Sequence, residues 1–229
     1  MTAFLEWLSL LAWRLKLLLN YPPKKAARNE KRSQPASDAG GMRIAISSGH
    51  GLHVRGASGF IDEVDEARRV TDRVADMLRG KGHTVHVFHE DAARTQADNV
   101  SGIVRWHNSQ ERDRDCSVHF NAVDGRTANP IGTEVVVHPA ADARTRTWAS
   151  KVARAIAAAG NLRLRRPGEF PGVLDLDVGF TRDIRGFIEG CGKGSVLLEV
   201  CFVNSEADSR LYSDNFDKIC VAIADALVA

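Results

Sequence analysis

The chain has 229 residues, 44% of them hydrophobic and 26% charged, with 31 Lys/Arg against 29 Asp/Glu. A net charge of +2 excludes a strongly basic nucleic-acid binder, and the composition excludes a disordered or collagen-like chain. The length suits one domain with a sizeable core, plus an appendage.

The appendage comes first. Residues 1–41 hold seven Lys/Arg and three Asp/Glu, whereas the remainder holds 24 and 26. Residues 3–19 are mostly Leu and Trp, but Glu6, Arg14 and Lys16 make a deep membrane span costly. They read as an amphipathic helix for contact with a membrane surface. No basic region precedes them and no small-x-small cleavage site follows, so there is no clear signal peptide. Residues 21–41, rich in Pro, Lys, Arg and Ser, read as a disordered linker. A competing reading takes Met42 as the true start and residues 1–41 as an upstream extension. An N-terminal peptide from before Met42, found by mass spectrometry of the natural protein, would refute that.

From Met42 on, strands and helices alternate. Arg43–Ser47 is a buried strand ending in Ser-Ser-Gly. Residues 62–79 carry a helical stripe of Ala67, Val70, Val74, Met77 and Leu78, stopped by Gly80 and Gly82. His83–His89 alternates as a strand. Residues 95–111 form a helix, and Cys116–Ala122 and Thr133–His138 are strands. Residues 141–159 form a helix with Trp148, Val152 and Ile156 on one face. Residues 161–194 show no clear period and read as a long surface segment beside the site. Ser195–Val203 is a nearly continuous apolar strand, and residues 206–228 are helix in two pieces around Ser213. This order predicts an α/β fold with a mostly parallel central sheet flanked by helices, and function at the carboxyl ends of its strands. Cys116, Cys191, Cys201 and Cys220 form no C-x-x-C pair, and those in apolar runs, Cys116 and Cys201, read as buried free thiols.

Three polar residues stand where strands should be dry: His50 just after the first strand, His119 inside CSVHFNA, and Glu199 inside SVLLEVCFV. A buried carboxylate needs a partner or a cation. The acids Asp62, Glu63, Asp65 and Glu66 open the first helix, where the macrodipole favours them, yet one of them can reach the loop carrying His50. Two histidines and a carboxylate with an open position are a catalytic zinc set, and a further glutamate that binds no metal can move the water's proton. The competing reading is a set of unrelated, satisfied polar groups, since the spacings match no short motif such as H-E-x-x-H.

The segments IAISSGHG at 44–51, GASGFIDEVDEARRV at 56–70, SVHFNA at 117–122 and SVLLEVCFVNSEAD at 195–208 resemble the zinc-dependent N-acetylmuramoyl-L-alanine amidases of the third type, found in bacteria and in phage endolysins. The resemblance covers residues 43–228, which makes 42–229 the catalytic domain. It implies one Zn2+ ion, His50, Glu63 and His119 as its ligands, and Glu199 as the catalytic glutamate. It implies peptidoglycan as substrate, cleaved between N-acetylmuramic acid and L-alanine, with action at the cell wall in the periplasm or outside the cell. Counting back from Gly82 favours Glu63 over Glu66, which lies one turn further in and is the alternative ligand or a group that orients one. The alternatives in function are a zinc hydrolase of another peptide amide and a non-catalytic wall-binding module.

Several further residues carry weaker expectations. Asn121 shares a strand face with His119 and is a candidate substrate-binding group as well as a loop anchor. His53 follows in a solvent loop. Asn204-Ser205-Glu206 reads as a turn and helix cap. Arg163, Arg165 and Arg166 form a basic cluster able to meet peptide carboxylates. His83, His86 and His89 share one face of a strand, which reads as a polar edge rather than a metal site.

Overall fold

Short β-branched runs and amphipathic helices fold as their patterns dictate. The computed structural model describes residues 41–176 and 182–229, apart from the side chains of 182–184, and these residues belong to one compact unit. The readings of residues 3–19 and of the linker, Gly41 excepted, lie outside the described residues.

The strands are β1 (Arg43–Ser48), β2 (Thr84–Phe88), β3 (Arg114–Asn121), β4 (Glu134–Val137), β5 (Val173–Asp175) and β6 (Ser195–Phe202). The helices are α1 (Glu63–Gly80), α2 (Gln96–Asn108), α3 (Ala143–Gly160), α4 (Arg182–Cys191), α5 (Glu206–Asp214) and α6 (Phe216–Leu227). The strands form one sheet in the order β2-β1-β3-β6-β4-β5. The first four run parallel to one another; β4 runs antiparallel to β6, and β5 is parallel to β4. β6, buried at every position, lies between β3 and β4, as its continuous apolar run requires.

The helix ends have local causes. Asp62 caps α1 by accepting from Val64 N at 3.0 Å and Asp65 N at 3.3 Å, Thr95 caps α2, Asp142 caps α3 and Ser205 caps α5. The stripe of α1 is buried at Val64, Ala67, Val70, Val74 and Leu78. The closing helices break at Asn215, two residues past the expected Ser213.

One expectation is corrected. Residues 161–194 are not all surface: they contain β5 and α4, and Leu174, Leu176, Phe187 and Ile188 join Ile103, Val136 and Leu197 in a buried cluster. Two glycines inside α4 argue against a helix by propensity. Here they let α4 press on α2, because a Cβ on Gly186 or Gly190 would come within 2.5 Å of Val100 or 2.7 Å of Val104. Tertiary packing outweighs propensity at that contact.

Among the described residues, no helix is long and apolar enough to cross a membrane. All four cysteines are free; Cys116, Cys201 and Cys220 are buried. The histidines of the β2 region serve separate partners at an edge strand: His83 Nδ1 accepts from Met42 N, and His89 Nδ1 meets Ser48 Oγ at 2.9 Å.

Candidate active site

His50, Glu63 and His119 meet at the carboxyl rim of the parallel strands. Each is buried, and their ligand atoms all lie within 4.8 Å of one another. His50 stands two residues past β1, in a loop held against β3 by Gly49 N donating to Val118 O at 2.9 Å. His119 lies in β3. Glu63 is the first residue of α1, where the chain returns to the same rim.

The Glu63 carboxylate is fixed on both oxygens. Oε1 accepts from Phe120 N and meets His119 Nδ1, each at 3.1 Å, and lies 3.6 Å from His50 Nε2. Oε2 accepts from Ala57 N at 2.7 Å. The β3–β6 ladder shifts register between His119 and Asn121, and it is there that Phe120 N turns to Glu63. Burial opposes charge on Glu63, but the hydrogen bond to His119 and the two neighbouring imidazoles outweigh it and hold its carboxyl below the usual range.

Two glycines make room for this cluster. A Cβ on Gly49 would lie 1.9 Å from the His119 ring. Gly56, at φ +69, would place one 2.4 Å from Glu63 Oε2 and 2.7 Å from the His50 ring. Two imidazoles and a carboxylate, crowded together and screened from water, are the donor set that a divalent cation takes in a protein.

Glu66 does something else. Its Oε2 accepts from Tyr212 OH at 2.8 Å and pairs with Arg69, so this carboxylate ties α1 to α5. Burial raises its carboxyl above the usual range against the pull of Arg69.

Glu199 lies in β6, directly beside His119 in register, and is 2% exposed. Its Oε2 has no hydrogen-bond partner among the described residues. Burial, then the charges of Glu63 and Glu134, push its carboxyl well above the ordinary range. An orphaned buried acid beside a cation-type cluster is costly for folding alone.

Glu134, which the sequence reading did not single out, is the next member of the row. It pairs with Glu199 in the antiparallel β4–β6 ladder and is 1% exposed. Its Oε2 accepts from Arg166 Nε at 2.6 Å and lies 3.1 Å from Arg165 Nε. Its Oε1 accepts from Asn121 Nδ2 at 3.3 Å. Asn121 Oδ1 in turn accepts from Ala122 N at 2.7 Å, so this side chain braces both the row and its own loop. Asn204 holds the facing loop through Val123 N at 3.1 Å, and Ser205 begins α5. His53 is exposed and takes no place in the cluster.

A second group, His107, Asp115 and Cys191, also has cation-type spacing. Its donors are already committed. His107 Nδ1 meets Asp115 Oδ1, His107 Nε2 meets Ser47 Oγ at 2.9 Å, and Asp115 Oδ2 accepts from Arg112 Nε at 2.7 Å. Burial, then Asp115, pushes the Cys191 thiol up to about 12, far from the thiolate a metal needs.

Comparison with known proteins adds family and fold. A family model described as N-acetylmuramoyl-L-alanine amidase matches residues 44–229. An uncharacterised protein of Clostridium perfringens is 24% identical over 187 residues, 81% of this chain and 51% of its own length. The chain thus spans about half of that curated relative. Among solved structures, the catalytic domain of the CD27L endolysin targeting Clostridia difficile is 19% identical with a TM-score of 0.64, covering 81% of this chain and 96% of that one. AmiC2 of Nostoc punctiforme, an N-acetylmuramoyl-L-alanine amidase, is 21% identical with a TM-score of 0.62, covering 82% and 96%. Ami1 of Mycobacterium smegmatis, an N-acetylmuramyl-L-alanine amidase, is 18% identical with a TM-score of 0.64, covering 83% and 96%.

Proposed function

Because the chain belongs to the N-acetylmuramoyl-L-alanine amidase family, we propose that it hydrolyses the amide between N-acetylmuramic acid and L-alanine in peptidoglycan, with zinc held by His50, Glu63 and His119. Its place of action on this reading is the cell wall, in the periplasm or outside the cell. The observation that carries the proposal is Glu199: a buried acid, next in register to His119, with an oxygen that no group among the described residues satisfies.

Bound by that set, zinc supplies a Lewis acid that polarises the scissile carbonyl and brings the pKa of a water toward neutrality. The protein's own residues do the rest. Glu63 is locked by Phe120 N and Ala57 N, so its orientation is set before any ligand arrives. Glu199 takes a proton from the attacking water as that oxygen bonds to the lactyl carbonyl carbon. As the C–N bond breaks, Glu199 returns the proton to the alanine nitrogen. A high proton affinity suits the first role, drawing the proton from the water, and burial, then Glu63 and Glu134, raises it. Asn121, through Glu134, keeps the neighbouring strand end in place.

The test is release of muramic-acid-terminated glycan and of free L-alanine amino groups from purified cell walls. Zinc-loaded protein yields both. Cleavage at another amide, or binding to walls without cleavage, would replace this reading with one of its alternatives.

A further inference from the structure

We infer that Arg166 is a specificity-determining residue that reads a carboxylate on the leaving peptide, close to the scissile amide. This rests on the amidase reading above. Its first support is backbone conformation: Arg166 sits at φ 51, a left-handed conformation unusual for a non-glycine residue. The fold pins it there. Gly172 N donates to the carbonyls of both Arg165 and Arg166 at 3.0 Å, and Arg165 N donates to Thr133 O at 3.1 Å. Gly132 permits the approach, since a Cβ there would lie 1.9 Å from Arg163 O. Such enforced backbone is characteristic of functional sites.

The second support is the side chain. Its Nε is spent on Glu134, while the two Nη groups have no hydrogen-bond partner among the described residues. The side chain is 36% exposed, although the carboxylate that anchors it is buried. A guanidinium held by Nε presents its Nη pair end-on, the geometry that grips a carboxylate with two hydrogen bonds.

The third support is order along the sheet. His119, Glu199 and Glu134 are successive neighbours across β3, β6 and β4, and Arg166 follows Glu134. Glu199 delivers its proton to the leaving nitrogen, so that nitrogen lies at Glu199 and the acyl side lies toward the metal cluster. The leaving peptide continues along the row toward Glu134 and Arg166. A free carboxylate on the residue after L-alanine would meet the Nη pair; a carboxamide in its place would not.

The experiment uses two muramoyl peptides that differ only in carboxylate or carboxamide on the residue after L-alanine, with intact cell walls assayed in parallel. The unaltered full chain is expected to prefer the carboxylate by about tenfold or more in kcat/KM, the scale of a charge-assisted hydrogen bond. Arg166→Gln should bring that ratio close to one by losing rate on the carboxylate alone, and Arg166→Lys should keep only part of it. The ratio is taken on one preparation, so partial misfolding of a variant cancels. Equal rates for the unaltered chain, or an unchanged ratio in Arg166→Gln, would overturn the inference while wall cleavage left the amidase reading intact. Absence of cleavage of walls and peptides alike would remove both.

Discussion

The two ends of β3 carry the same kind of residue to opposite effect. Asp115 and Ser117 at its beginning, and His119 and Asn121 at its end, alternate with the buried Cys116, Val118 and Phe120. At the first end the polar groups close on themselves: Ser117 meets Ser47, Ser47 meets His107, His107 meets Asp115, and Asp115 meets Arg112. At the second end they do not close. Among the described residues Glu199 keeps an oxygen without a hydrogen-bond partner, and the ligand atoms of three side chains lie within 4.8 Å of one another. The first arrangement spends its hydrogen bonds on the fold; the second holds some in reserve for something that arrives later. Histidine, acid and burial are common to both, so residue type alone does not separate structure from function. Satisfaction does.

This contrast can be broken by experiment. The largest effect is expected at the open end: His119→Ala should lose zinc and all lytic activity, read by metal analysis and wall turbidity, and a chelator should reproduce the activity loss in the unaltered protein. Next, Glu199→Gln should keep its zinc while kcat falls by about 10²–10⁴-fold, the range for a lost general base. At the closed end the outcome should invert. Asp115→Ala strands His107 and Arg112 and should cost about 3–5 kcal/mol, lowering Tm by on the order of ten degrees, with kcat per folded molecule unchanged. The smallest change separates the two glutamates of α1. Glu66→Gln should cost about 1–3 kcal/mol through Arg69 and Tyr212 without affecting zinc content, whereas Glu63→Gln should lose the metal. A zinc-free Glu66→Gln that kept its stability would reverse the assignment.

How much of this could be read from the sequence depended on contrast with the surroundings. Glu199 was legible because a single acid interrupts an eight-residue buried strand. His119 was legible for the same reason. Glu134 gave no signal, because it opens its strand and an acid at a strand end looks exposed. It is buried in the ladder beside β6 and paired with Arg165 and Arg166, some thirty residues on, which is a tertiary fact. His107 was hidden likewise: in the last turn of α2 a histidine reads as a partner for the helix dipole, and only the sheet beside it shows that it is buried. The helix α4 was masked by its glycines, whose purpose is a contact with α2 that no local pattern contains.

The reversed direction of β4 has a metric consequence. Cross-strand neighbours stand about 4.8 Å apart, so His119, Glu199 and Glu134 are graduations on a ruler whose divisions are fixed by backbone pairing. Slipping β4 by one residue would turn Glu134 to the other face, and slipping it by two would carry it about 7 Å along the strand. On the proposed reading, the length of peptide that fits between Glu199 and Arg166 is therefore written into the alignment of two strands, and changing it calls for an altered ladder rather than an altered side chain.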